Sequence, residues 1–186
     1  MKVNNILLVL QLVLITAISC YAQSNVPYQY DKDLLPASFF SANRDQLRSL
    51  MPDSSIAVFF SAPVRNRAND VNYTYHQDPD FYYLTGFTEP DALLIIFKTP
   101  TLVNGISMDE ILFVPERDAE RESWNGVRAG KEGAGVISGI RNVFNAAAFD
   151  SMTIDFNAFA KLWYQLPKGA IDNKNDNEDK IGRAHV

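Results

Sequence analysis

Tyr73-Thr-Tyr-His-Gln-Asp-Pro-Asp-Phe-Tyr-Tyr-Leu-Thr-Gly-Phe-Thr-Glu-Pro-Asp91 sets five aromatic rings among polar residues ahead of Gly86, then breaks again at Pro90. Aromatic rings lose much by staying wet, so such a density argues for a packed segment rather than a plain solvated loop. Pro79–Leu84 reads as one short helical turn. The stretch lies between two apolar runs of strand length, Ser55-Ile-Ala-Val-Phe-Phe60 and Ala92-Leu-Leu-Ile-Ile-Phe97, and a third, Ile111-Leu-Phe-Val114, follows. Near-continuous apolar runs of this length suggest a sheet covered on both faces.

Working outward, Phe39, Phe40, Leu47, Leu50 and Met51 fall near helical spacing, and Pro52 ends a helix predicted over Pro36–Met51. Ala62–Asn72, with Arg65, Arg67 and Asp70, reads as polar loop, and Lys98–Asp109 as a hairpin-like excursion between strands. Asp118–Ser123 reads as a short charged helix and Gly126–Gly135 as a glycine-rich loop. Phe149, Met152, Phe156, Phe159, Trp163 and Leu166 recur at three- and four-residue steps, which predicts a long helix over Ala146–Leu166. Helices alternating with buried strands make an α/β fold, here a mixed β-sheet flanked by helices.

The chain has 186 residues, 47% of them hydrophobic, enough for one domain with a proper core. A net charge of −5 disfavours a nucleic-acid partner, which needs a clustered basic face. Lys2, the apolar run Ile6–Ile18 and Cys20-Tyr-Ala22 read as an export signal spanning 1–22, cleaved after Ala22, with no stable membrane span left afterwards. The expected destination is the periplasm or the extracellular space; anchoring as a lipoprotein through Cys20 is the competing reading. Cys20 is the single cysteine, so cleavage leaves no disulfide, zinc thiolate or thiol nucleophile. Residues 23–33 read as a linker, 34–170 as the folded domain and 171–186 as a polar tail. One back-translation of Ile181–Val186 matches a common sequencing-library adapter, so those six residues read as adapter read-through, with a genuine polar tail as the alternative.

Three ordered blocks resemble the N-terminal domain of Xaa-Pro aminopeptidases (aminopeptidase P), members of the creatinase-like pita-bread metallopeptidases. The first is Phe39–Met51 with Arg44 and Leu47. The second runs from Ser61-Ala-Pro63 through Asp91 and holds Asp70, Tyr75, Gln77, Asp80–Phe87, Glu89 and Pro90. The third runs from Leu112 through Ala134 and holds Arg117, Asp118, Glu122, Trp124, Gly126, Arg128, Gly130, Glu132 and Gly133. His76 stands where many members carry Arg. The resemblance implies an exopeptidase that removes the first residue of peptides with proline second. It also implies two metal ions, usually Mn2+, held by two Asp, one His and two Glu of a separate C-terminal domain. No position here corresponds to those ligands. The expectation is therefore an N-terminal fragment, inactive by itself, with no catalytic and no metal-binding residue, from an enzyme that forms homo-oligomers.

By resemblance two residues face substrate. Asp70 lies near the free amino end of the peptide, where a carboxylate attracts the ammonium. Trp124 reaches the active site of a neighbouring subunit, where an indole face caps a narrow pocket. Read without the resemblance, Asp70 is an Asx-type loop residue after Asn69, and Trp124 a packing residue at a core edge. Tyr82 and Tyr83 read as packing, Arg65 and Arg67 as solvated charges, and His76 as a loop histidine without ligand partners. Serine-hydrolase, zincin, P-loop and dinucleotide-binding motifs are missing. The alternative to an enzyme is a non-catalytic peptide-binding or oligomerisation module on the same fold.

Overall fold

The structure is a computed structural model and describes residues 34–69 and 71–165. The export signal, linker, Asp70, polar tail and adapter-like residues lie outside the described residues. Helix α1 (Ala37–Leu50) leads into strand β1 (Ser55–Phe60). A hairpin of two very short strands, β2 (Asn66–Ala68) and β3 (Val71–Asn72), precedes α2 (Pro79–Thr85). Strands β4 (Leu93–Val103) and β5 (Ile106–Val114) follow, then helices α3 (Ala119–Asn125) and α4 (Gly130–Ser138). Strands β6 (Val143–Asn145) and β7 (Lys161–Gln165) complete a five-stranded sheet of order β6-β5-β4-β1-β7.

Strand β4 is antiparallel to both its neighbours, while β1 with β7 and β5 with β6 are parallel. Four strands therefore end at one edge of the sheet, where β4 begins. The apolar runs are continuous because the pleat sends alternate residues into two cores. Ala57, Leu94, Ile96, Leu112 and Val114 pack with Met51, just past α1, and with Phe81, Leu84 and Ala134 of the later helices. Ile56, Ile95, Phe97, Ile111 and Phe113 face the opposite way, against Phe149, Met152, Ile154 and Phe159. The mixed, helix-flanked sheet expected from the sequence is what forms.

Helix α1 is locked to the sheet by charge. The guanidinium of Arg44, 1% exposed, donates from Nε and Nη2 to both Glu110 carboxylate oxygens, at 2.9 and 3.0 Å, and from Nη1 to the Leu84 carbonyl at 2.7 Å. Arg48 Nη2 reaches the same carboxylate at 2.8 Å. Helix α2 starts where Asp78 accepts from the amides of Asp80 and Phe81, with Pro79 in the first turn. It stops at Gly86, at φ 66°, where a Cβ would overlap the Phe40 ring. Tyr82 and Tyr83 make edge-to-face contacts with Phe40 and Phe39, so this pair packs on α1, while Tyr73 stays exposed.

Three expectations fail. Residues 146–166 are not a long helix: two 3-10 helices, Ala146–Ser151 and Phe156–Ala158, precede β7. A period of three is native to 3-10 turns, so the spacing of Phe149, Met152 and Phe159 marked residues packed partly against the sheet, with Phe156 left exposed, and not an α-helix. Gly126–Gly135 is not all loop, because α4 begins at Gly130. Glycine disfavours helix in isolation, but a Cβ at Gly135 would sit 3.3 Å from the Ile140 carbonyl, so tertiary packing overrides propensity. Ala62–Asn72 carries β2 and β3, in register Asn66↔Asn72 and Ala68↔Val71. The excursion at 98–109 is a hairpin as expected, but the strands themselves continue through it to a turn at Asn104-Gly105, both left-handed.

Candidate functional site

Loops 61–78, 86–92 and 115–129 meet at the edge where β1, β5, β6 and β7 end. Open α/β sheets bind ligands at such carboxyl ends, because the loops there splay apart. Gln77 ties two of the loops together. Its Oε1 accepts from Ala62 N at 2.8 Å, Asp78 N at 2.9 Å and the Tyr75 hydroxyl at 2.9 Å. Its Nε2 donates to the carbonyls of Phe87 at 3.1 Å and Glu89 at 2.9 Å. The Tyr75 hydroxyl also lies 3.0 Å from the Ala62 carbonyl, so its one proton is shared between that oxygen and Gln77 Oε1. Burial pushes that hydroxyl well above the usual tyrosine range, against the pull of its bonds with Ser61 and Gln77, so it acts as a neutral strut. Ser61 closes the ring, its Oγ accepting from Ala92 N at 2.8 Å.

Glu89 carries the network to the third loop. Its Oε1 accepts from Ala129 N at 2.7 Å, just ahead of α4. Its Oε2 is buried without a hydrogen-bond partner and has Arg128 Nη1 at 3.6 Å, within ion-pair range. Burial raises the Glu89 carboxyl above its usual range, opposed by the Ala129 amide and Arg128. Glu122 on α3 takes both Nε and Nη2 of Arg117 at 2.9 Å and accepts from Arg128 N at 3.2 Å. The Arg117 bonds hold the Glu122 carboxyl below its usual range. Asp118 starts α3 by accepting from the amides of Glu120 and Arg121.

Among the site residues expected from sequence, Trp124 lies on α3 between Glu122 and Gly126, with its side chain 87% exposed. The reading of it as a core-edge packing residue does not hold among the described residues, where no core takes up its indole. Asp70 lies outside the described residues; in sequence it falls between Asn69 (φ 51°) and Val71 of the β2–β3 hairpin. The structure therefore does not bring Asp70 and Trp124 together as a described pair. His76, Arg65 and Arg67 are exposed. Sequence reading gave Gln77, Glu89 and Arg128 no role; the signal for Gln77 and Glu89 was their place at either end of the aromatic stretch 78–88, and Arg128 had none. Among the described residues no group of three or more His, Cys, Asp or Glu is placed to hold a metal ion. No described helix is long and apolar enough to cross a membrane.

The chain is similar to known proteins. Residues 40–161 match the family described as "Aminopeptidase P, N-terminal domain". The chain is 36% identical over 143 residues to "Intermediate cleaving peptidase 55" of Schizosaccharomyces pombe, covering 74% of this chain and 28% of that protein. It is 38% identical over 108 residues to human "Xaa-Pro aminopeptidase 3", covering 58% of this chain and 21% of that protein. Among solved structures, Pseudomonas aeruginosa aminopeptidase PepP superposes with a TM-score of 0.62 at 35% identity, over 74% of this chain and 30% of that one. A zinc-substituted Escherichia coli aminopeptidase P in complex with product gives a TM-score of 0.56 at 30% identity, over 64% and 26% of the two chains. The chain thus spans under a third of the length of these relatives.

Proposed function

The chain belongs to the aminopeptidase P N-terminal domain family, and on that premise we propose that it is the substrate-bordering domain of an exported Xaa-Pro aminopeptidase. The observation that carries this reading is the geometry of Trp124. A large apolar ring stands 87% exposed on a short helix whose root is tied down by Glu122 and Arg117 and whose exit is tied down by Glu89. Exposing an indole costs burial energy, and holding it on a fixed base prepares it to close over something else.

In this reading the ring caps the pocket that receives the peptide and keeps water out, across a contact between subunits of a homo-oligomer. The carboxylate of Asp70 attracts the ammonium of the peptide's first residue, which selects a chain end over an internal bond. Manganese, as a pair of ions, would supply the activated water and polarise the scissile carbonyl. The described residues do not fit such a centre, so no step runs through it; inactivity of the 186-residue chain by itself is part of the proposal. Removal of the signal ending at Ala22 releases the enzyme into the periplasm or outside the cell.

The test compares two proteins on an X-Pro dipeptide with manganese: the 186-residue chain and the complete gene product. The complete product should release the first residue and the 186-residue chain should not. Metal-dependent turnover by the shorter chain would overturn its inactivity. No turnover by the complete product would favour a non-catalytic peptide-binding or oligomerisation module.

A further inference from the structure

We propose that Glu89 is a positioning residue that sets the stance of Trp124 relative to the loop bearing the β2–β3 hairpin. This rests on the reading of Trp124 as a pocket cap. Glu89 is 8% exposed and bonded on both sides. Its backbone carbonyl accepts from Gln77 Nε2 at 2.9 Å, which fixes it to loop 61–78. Its carboxylate accepts from Ala129 N at 2.7 Å and faces Arg128 at 3.6 Å, which fixes the exit from α3. Arg128 in turn donates its amide to Glu122, two residues ahead of Trp124. Loop 126–129 is therefore held at its far end by one buried carboxylate. A buried oxygen without a hydrogen bond is costly, and an uncharged acceptor would serve the buried Ala129 amide without burying a charge. What the carboxylate adds is a charged grip on Arg128 together with an acceptor for Ala129.

The experiment uses the 186-residue chain with Trp163→Phe, leaving Trp124 as the single tryptophan reporter. Amide hydrogen exchange is followed at Ala129 and at the core residue Ile96, and anisotropy decay at Trp124. Glu89→Ala should speed exchange at Ala129 at least about tenfold and shorten the Trp124 correlation time, with Ile96 unmoved. Glu89→Gln, which keeps an acceptor for Ala129, should restore its protection. Glu89→Asp, with the carboxylate withdrawn by one methylene, should loosen Ala129 as Ala does. Equal acceleration at Ala129 and Ile96 would mean a merely structural role and overturn the proposal, as would an unchanged Ala129. In the complete gene product, Glu89→Ala should raise KM for an X-Pro peptide several-fold. A loosened Trp124 with unaltered KM would uphold the anchor and sink the pocket-cap reading beneath it.

Discussion

Replacing Gln77 should weaken the site edge more than any other single polar change there. The side chain makes five hydrogen bonds, three accepted and two donated. A neutral hydrogen bond contributes about 1 kcal/mol net, which bounds the loss in Gln77→Ala near 5 kcal/mol. Gln77 is only half-buried, so water rescues some of its partners, and about 3 kcal/mol is the expected loss. Against a typical domain stability of about 5–15 kcal/mol the protein stays folded but marginal. With a urea slope of about 2 kcal/mol/M, the unfolding midpoint should fall by about 1.5 M. Gln77→Glu sharpens the test. It places a second carboxyl oxygen against the carbonyls of Phe87 and Glu89, where only a protonated carboxyl can donate. The folded-state pKa must then rise above the ordinary value of about 4.3. The native state binds more protons than the unfolded one, so stability is full below that value and falls as pH rises through the raised one. Gln77→Glu should thus approach wild type near pH 4 and lose ground steadily toward pH 7. A midpoint shift under about 0.5 M for Gln77→Ala, or a Gln77→Glu deficit independent of pH, would refute the reasoning.

Glu110→Ala should cost about 3–5 kcal/mol in urea unfolding, because it strands the buried Arg44 guanidinium with only the Leu84 carbonyl. Arg44→Met should cost less, since Glu110 keeps Arg48 at 2.8 Å, and the double variant should be more stable than Glu110→Ala. Gly86→Ala should lower thermal stability by about 2 kcal/mol or more, from a strained left-handed residue and a clash with the Phe40 ring. Glu89 has a raised folded-state pKa amid Arg128, Glu122 and the Ala129 amide, so its contribution is held at low pH and lost as pH climbs. The stability of Glu89→Gln relative to wild type should therefore increase from pH 4 to pH 7 in paired denaturation curves.

The fold was legible wherever burial alone decided structure. Ser55–Phe60, Ala92–Phe97 and Ile111–Val114 read as strands because both faces of the sheet are covered. The break at Gly86 was legible because a left-handed cap is a local glycine signal, whereas the Asp78 cap that starts α2 went unread. The stretch 146–160 misled because 3-10 turns and an α-helix both bring residues three apart to one side. Helix α4 was hidden because its glycines satisfy contacts that exist only after folding, such as that of Gly135 with β6. The Arg44–Glu110 pair spans 66 positions, and nothing local to either residue announces the other. At the site, Trp124 and Asp70 were reached through family resemblance alone. The struts behind them, Gln77 and Glu89, needed the three loops to be assembled.

The most direct test of the central claim is the kcat/KM of the complete gene product on an X-Pro peptide, with manganese, before and after Trp124→Ala. Trp124 is so exposed that its removal should shift domain stability by less than about 0.5 kcal/mol. Catalytic efficiency should nevertheless fall at least about tenfold, a loss of about 1.4 kcal/mol in transition-state binding. Unchanged efficiency with an intact fold would contradict the account.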